Sequence, residues 1–298
     1  MSLSRRQLLA YGAMGALTPM GAWAQPSELQ YQLNALIRQM RQQGRISPNE
    51  RTAWSVYDFN SRQKLVSINE YSRLQAASMV KVFVALAYFF LHQRSPYQYP
   101  YGWKEQQVMQ KMLVKSSNTA TNQVMGWCGG PSRIAALCQQ ATGNRFLHLH
   151  IVEYIPKGGR TYRNRAAAID YSRFFYDLWH GKLPMAHELK RLLSMENHDR
   201  ITTEQMGYDV TIYDKTGSTG MLCGDAGIVQ VGYGGHNAYT FIGILERGRK
   251  AKSYGPWITA RSKMMREVSD LVFSYMTDQY RYVPKSRQQQ EPIIYWSS

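Results

Sequence analysis

Ser78-Met79-Val80-Lys81, running directly into Val82-Phe83-Val84-Ala85-Leu86-Ala87-Tyr88-Phe89-Phe90, is the stretch on which the reading of this chain turns. The apolar run is too long and continuous for a surface loop and reads as a buried helix. A serine at the mouth of that helix, with a lysine three residues on, puts both side chains on one helical face. The helix N-terminus adds unpaired N–H groups and a positive field at the same spot. Such surroundings depress the proton affinity of a lysine and activate a hydroxyl. Taken alone, Ser-x-x-Lys arises by chance about once in a chain of this size.

Two further stretches give it company. Ser116-Ser117-Asn118 and Lys215-Thr216-Gly217 follow in that order. Each is weak alone, because such residues are common in turns. Together, in this order, the three motifs resemble those of the penicillin-recognising serine hydrolase superfamily, most closely its class A β-lactamase-like branch. Gln75-Ala76-Ala77 before the serine and Asp225-Ala226-Gly227-Ile228-Val229 after Lys-Thr-Gly add to the resemblance, which spans roughly Trp54 to Phe273.

The resemblance implies roles. Ser78 is the expected nucleophile and Lys81 the shuttle for its proton. Ser116 is expected to pass a proton to the leaving nitrogen, and Asn118 to hold the substrate amide and Lys81. Lys215 and Thr216 are expected to bind the substrate carboxylate. Gly217 is expected to allow close approach, and the N–H groups of Ser78 and Ser218 to form the oxyanion hole. The implied substrates are β-lactams or peptidoglycan peptides ending in D-Ala-D-Ala.

The chain also departs from the class A pattern. Ser116 follows Ser78 after only 38 positions, so the helical part looks trimmed. Ser117 stands where an aspartate is usual. The class A deacylation base, a glutamate within Glu-x-x-Leu-Asn, has only Glu153 as a counterpart, in Glu153-Tyr154-Ile155-Pro156. Without a dedicated base the acyl-enzyme forms but hydrolyses slowly, as in a D,D-peptidase. Arg160, Arg163 and Arg165 are candidates for a cationic cleft wall, or for an ordinary solvated loop.

Composition sets the frame. A chain of 298 residues that is 44% hydrophobic, with 7 Trp, 21 Tyr and 9 Phe, builds an ordered core. Ser4-Arg5-Arg6-Gln7-Leu8-Leu9 followed by Ala22-Trp23-Ala24 reads as a twin-arginine signal peptide over residues 1–24, cleaved before Gln25. Pro19 and three glycines interrupt its apolar stretch, which falls short of the roughly 20 residues a spanning helix needs. The expected location is therefore the periplasm, with membrane contact only transient and through the signal peptide. Loss of Arg5 and Arg6 leaves 34 basic against 20 acidic side chains, a net charge of +14. That charge suits an anionic partner. No basic run with interleaved aromatics singles out nucleic acid, so no specific nucleic-acid binding is expected. A monomer is expected.

Cys128, Cys138 and Cys223 are too few for a disulfide framework, and Cys128–Cys138 is the natural pair if one forms. Cys-x-x-Cys, His-x-x-x-His and His-Glu-x-x-His are all absent, so neither metal nor cofactor is implied.

Periodicity predicts a helix over 27–44, a hairpin over 51–58 and 64–69, and helical patterning from 77 to 193. Within that block, helices are expected at 105–114 (carrying Ser-x-Asn at its end), 119–127, 132–141, 166–179 and 188–195. Strands are expected at 210–215, 227–233 and 238–246, and a closing helix at 257–276. Helix, two strands, helices, three strands, helix is an α+β order. The resemblance implies a five-stranded antiparallel sheet flanked by terminal helices, with an inserted all-helical subdomain of about 77–200. The expected hydrolase domain covers 25–284, with a frayed tail over 285–298.

Two other functions fit parts of the sequence. A non-catalytic wall-binding module predicts binding that survives Ser78→Ala. An anionic-polymer binder driven by charge alone predicts steep salt dependence without ligand preference.

Overall fold

The computed structural model describes residues 26–156, 159, 161–232, 234–235 and 237–285. The predicted signal peptide, Arg160, His236 and the tail beyond Lys285 lie outside the described residues.

The N-terminal helix α1, Glu28–Gln42, starts where the Ser27 hydroxyl accepts from the Gln30 N–H. Its predicted stripe of Leu29, Leu33, Ile37 and Met40 is buried. Strands β1, Glu50–Asp58, and β2, Gln63–Ile68, form the predicted hairpin. Then come the two-residue strand β3, Leu74–Gln75, a tight turn over Ala77–Val80, and helix α2, Lys81–Arg94. Helices α3, Trp103–Leu113, α4, Asn118–Trp127, and α5, Pro131–Thr142, follow. Strand β4, Arg165–Ala166, pairs with β3, and α6, Ala168–Trp179, and α7, Ala186–Leu193, complete the helical block. Strands β5, Val210–Ser218, β6, Leu222–Val231, and β7, Asn237–Arg247, lead into the closing helix α8, Tyr254–Tyr280.

The large sheet has the order β2-β1-β7-β6-β5, with every pairing antiparallel. This is the expected five-stranded α+β architecture. Alternation along the strands builds two cores. Ala53, Ala226, Ile228, Ile242 and Ile244 face α2, α5 and α6. Trp54, Val56, Val229, Phe241 and Leu245 face α1 and α8.

Three differences from the sequence reading matter for the site. First, β6 begins at Leu222, not 227, because nearly every residue in it is buried on both faces. A central strand of that kind shows no period-two alternation. Second, β5 runs through the whole of Lys-Thr-Gly to Ser218. Third, Ser-x-Asn lies between two helices: α3 ends at Leu113 and Asn118 opens α4. Cys128, Cys138 and Cys223 are all free and buried, and the Cys138 thiol donates to the Phe83 carbonyl at 3.2 Å, so the Cys128–Cys138 bond is not formed.

Glu50, 3% exposed at the start of β1, ties the sheet to α8. Arg261 binds its carboxylate through Nη2, 2.6 Å from Oε2, and Trp257 Nε1 donates at 3.4 Å. Removing one member of a buried pair strands the other's charge. Glu50→Ala is expected to lower the unfolding free energy by about 3 kcal/mol, measured by chemical denaturation.

Candidate active site

Ser78 sits in the tight turn that feeds α2, immediately after Ala77, which holds φ at +44°. A left-handed alanine costs of order 1 kcal/mol and persists only where its surroundings impose it. Those surroundings are close on both sides. The Ala76 N–H donates to the Asn164 carbonyl at 2.9 Å, and the Met79 N–H to the Ala76 carbonyl at 3.0 Å. On the sheet side, Gly217 of β5 faces Met79: a Cβ there would lie 2.8 Å from Met79 Cγ and 3.1 Å from Met79 N. A Cβ on Gly224 of β6 would meet Met79 Cε at 2.6 Å. Both glycines therefore let the sheet press against the serine turn.

Lys81, fully buried at the first turn of α2, is the hub. Its Nζ lies 2.7 Å from Ser78 Oγ, 2.9 Å from the Ser116 carbonyl, 3.1 Å from Ser116 Oγ and 3.1 Å from Asn118 Oδ1. Burial, with the charge of Lys215 adding to it, pulls Lys81 down to about 6. Ser116 turns its carbonyl and hydroxyl to this nitrogen from a left-handed conformation, φ +54°. Ser117 caps α4, its hydroxyl accepting from the Ala120 N–H at 3.2 Å. Serine and aspartate are both strong caps, which explains why serine serves at this position.

Lys215, on β5, is 2% exposed and its Nζ makes a long 3.4 Å contact to Thr216 Oγ1. Burial lowers its proton affinity, opposed by the carboxylates of Asp214 and Asp225. Burial and the neighbouring Asp225 push Asp214 well up. Ser78, Lys81, Ser116 and Asn118 thus meet through direct contacts. Lys-Thr-Gly joins them through the Gly217–Met79 approach and the field of Lys215 at Lys81.

Glu153 does not join them. Its Oε1 accepts from Thr161 Oγ1 and from the N–H groups of Tyr162 and Arg163, each at 2.9 Å. Burial pushes this carboxyl up, but those donors outweigh it and hold it below the usual carboxylate value. Asn164 closes the same loop, its Oδ1 accepting from the Val152 and Glu153 N–H groups and its Nδ2 donating to the Glu153 carbonyl. The loop reaches Asn118 through Gly159, where a Cβ would lie 3.3 Å from Asn118 Nδ2. Of the three candidate wall arginines, Arg160 lies outside the described residues. Arg165 pairs with Gln75 in the β3–β4 ribbon and turns towards Glu246 at 3.8 Å, and Arg163 is exposed. The cavity beside Ser218 is lined by Gly159 and Tyr162, with Thr219, Gly220, Lys250 and Tyr254.

Lys250 and Tyr254 escaped the sequence reading. From Arg247 to Arg266 the chain carries seven cationic side chains and no Asp or Glu. That run was the available signal.

The family model described as a beta-lactamase enzyme family matches residues 95–275. That span includes Ser116, Asn118 and Lys215, while Ser78 and Lys81 lie just upstream of it. A mutant of PBP-A, solved as an acyl-enzyme complex with penicillin G, is 22% identical to this chain. It covers 83% of this chain and 97% of its own, with a TM-score of 0.62. TLA-1 extended-spectrum β-lactamase is 13% identical, covering 83% and 98%, with a TM-score of 0.65. The β-lactamase from Desulfarculus baarsii is 15% identical, covering 80% and 97%, with a TM-score of 0.63. No curated protein matches the chain. Fold and family together place it in the class of penicillin-recognising serine hydrolases. Within that class, the chain belongs to the beta-lactamase enzyme family.

The depressed Lys81 has a consequence for stability. In the unfolded chain this lysine stays protonated up to its ordinary value of 10.5, whereas in the folded protein it is neutral above about 6. The unfolded state therefore binds the extra proton between these values, and stability rises with pH there. Relative to wild type, Lys81→Met is expected to gain about 1.4 kcal/mol per unit as pH falls from about 9 to about 6, and to level off below. Denaturant titrations at several pH values measure that difference.

Proposed function

We propose that Ser78 is acylated by β-lactams and by peptides of the D-Ala-D-Ala type, and that the acyl-enzyme is released slowly. The observation that carries this reading is the Lys81 nitrogen, 2.7 Å from Ser78 Oγ and down to about 6. At neutral pH a neutral amine has two N–H groups and one lone pair. The Ser116 carbonyl and Asn118 Oδ1 only accept, so they take the two N–H groups. The lone pair is left for the Ser78 hydroxyl.

Ser78 Oγ then attacks the carbonyl carbon while its proton passes to Lys81. Ser116 Oγ, 3.1 Å from the same nitrogen, relays a proton to the departing amide nitrogen as the C–N bond breaks. The N–H groups of Ser78 and Ser218 stabilise the oxyanion. Lys215 and Thr216 hold the substrate carboxylate.

Release requires a base for water. Glu153 has a carboxylate, but its Oε1 is taken by donors of its own loop, and among the described residues no hydrogen bond ties it to Ser78 or Lys81. This favours the D,D-peptidase or penicillin-binding behaviour over efficient β-lactam turnover. Export by the twin-arginine route belongs to the same reading, supported by Arg5-Arg6 and Ala22-Trp23-Ala24.

Intact-mass spectrometry of the protein recovered from a periplasmic extract tests these points together. Cleavage before Gln25 is expected, together with a penicillin G adduct that persists for minutes and is lost in Ser78→Ala. Absence of any adduct would sink the reading. The acylation rate is expected to rise with pH through about 6, as Lys81 loses its proton, and this limb disappears in Lys81→Ala. Glu153→Gln keeps the acceptor oxygen, so adduct lifetime should stay within about twofold. A lifetime lengthened by about a hundredfold would instead make Glu153 the base.

A further inference from the structure

The cavity beside Ser218 has a volume of about 370 Å³, and Ser218 is the one expected site residue in its lining. Its walls come from three places in the chain. Gly159 and Tyr162 belong to the loop stapled by Glu153. Ser218, Thr219 and Gly220 continue β5 beyond Lys-Thr-Gly. Lys250 and Tyr254 come from the segment joining β7 to α8.

That third wall is fixed in place. The Ala251 N–H donates to the Gly220 carbonyl at 2.8 Å, and the Arg247 N–H to the Met221 carbonyl at 2.9 Å. The Lys250 stem lies flat on Gly220, where a Cβ would come within 2.8 Å of Lys250 Cγ and 3.3 Å of Cε. Tyr254 opens α8 with its hydroxyl 2.8 Å from Ser218 Oγ. Around it the chain runs without an acid from Arg247 to Arg266. The other cations of this run that have contacts spend their charge elsewhere. Arg261 binds Glu50, Arg266 donates to the Thr202 and Asp199 carbonyls, and Arg247 stacks over Trp257. Lys250 has no ion pair or hydrogen bond among the described residues, yet it sits over the cavity.

The direction of a bound substrate links this cavity to the chemistry. Strand β5 is the edge of the sheet, paired only with β6, so its outer edge is open to an extended ligand. If the terminal carboxylate lies at Lys215 and Thr216 and the reacting carbonyl at Ser78 and Ser218, the rest of the acyl portion runs on towards Thr219 and Gly220. It then enters the cavity under Lys250.

Resting on the acyl-transfer reading above, we propose that Lys250, with Tyr162 and Tyr254 as flanking walls, is a specificity-determining residue. It selects substrates whose acyl portion carries a second carboxylate, as an acidic peptide does. One ammonium at each end of the cleft then reads one anionic group at each end of the substrate. The aromatic walls cover the apolar part between them.

The test compares benzylpenicillin with its α-carboxy derivative, which differ by one carboxylate on the acyl side. The ratio of their second-order acylation rate constants, carboxylated over uncarboxylated, is expected to fall about fivefold in Lys250→Ala. It should fall further in Lys250→Glu, return in Lys250→Arg, and shrink in wild type as salt is raised. An unchanged ratio in Lys250→Ala and Lys250→Glu would overturn the proposal, even with acylation intact. A second arm does not depend on chemistry: calorimetric binding to Ser78→Ala of D-Ala-D-Ala capped with succinyl or with propionyl. A preference for the succinyl cap that Lys250→Ala abolishes supports the subsite even where no acyl-enzyme forms, and equal binding of the two caps overturns it.

Discussion

Lys81 brings an ionisable nitrogen to a place that water does not reach, and most of the site is arranged around the consequences. A buried ammonium is expensive, so the group gives up its proton near pH 6. A neutral amine must still satisfy its hydrogens and its lone pair. Ser116 and Asn118 supply the acceptors, and Ser78 supplies the hydroxyl. The contacts that make Lys81 tolerable in the core are the same contacts that tie the serine turn to the connection between α3 and α4. Lys215 deepens the effect: a second buried amine, held over the carboxylates of Asp214 and Asp225, repels a proton on Lys81 from the sheet side.

This arrangement needs the backbone to bend where side chains would rather it did not. Ala77 and Ser116 both hold positive φ, one before the hydroxyl and one at the carbonyl that grips the amine. Gly217 and Gly224 remove the atoms that would otherwise push β5 and β6 away from Met79. The strain is local, whereas the forces that impose it are spread over the two cores on either side of the sheet. Rigid burial around a strained turn keeps the hydroxyl and amine within hydrogen-bond distance before any substrate arrives.

The loop from Val152 to Asn164 shows how the same residue type serves different ends. A glutamate there stands in sequence where a base is expected, but three donors spend its Oε1 on holding the loop together. Its carboxylate organises backbone, and the loop then offers the cleft a glycine and a tyrosine. A catalytic base would need its carboxylate set beside the serine, and among the described residues no hydrogen bond ties Glu153 to Ser78 or Lys81.

Much of this was legible in the linear chain, for local reasons. The apolar run after Lys81, the α1 stripe and the hairpin at Asn60 are short-range patterns, and they placed helices and strands within a few residues. The serine, lysine and amide of the three motifs were identifiable because their order and spacing are written in the sequence. Other features depended on distant contacts. Strand β6 hid its start because both of its faces are buried. The fate of Glu153 depended on which donors the loop folded onto it. Lys250 gained meaning only when Gly220 came to lie beneath it. Side-chain type and periodicity are properties of neighbours along the chain, so the sequence by itself determined the elements and the chemistry available. The proton state of Lys81, the occupation of Glu153 and the company of Lys250 depend on burial and on atoms many residues away, which only the tertiary structure decided.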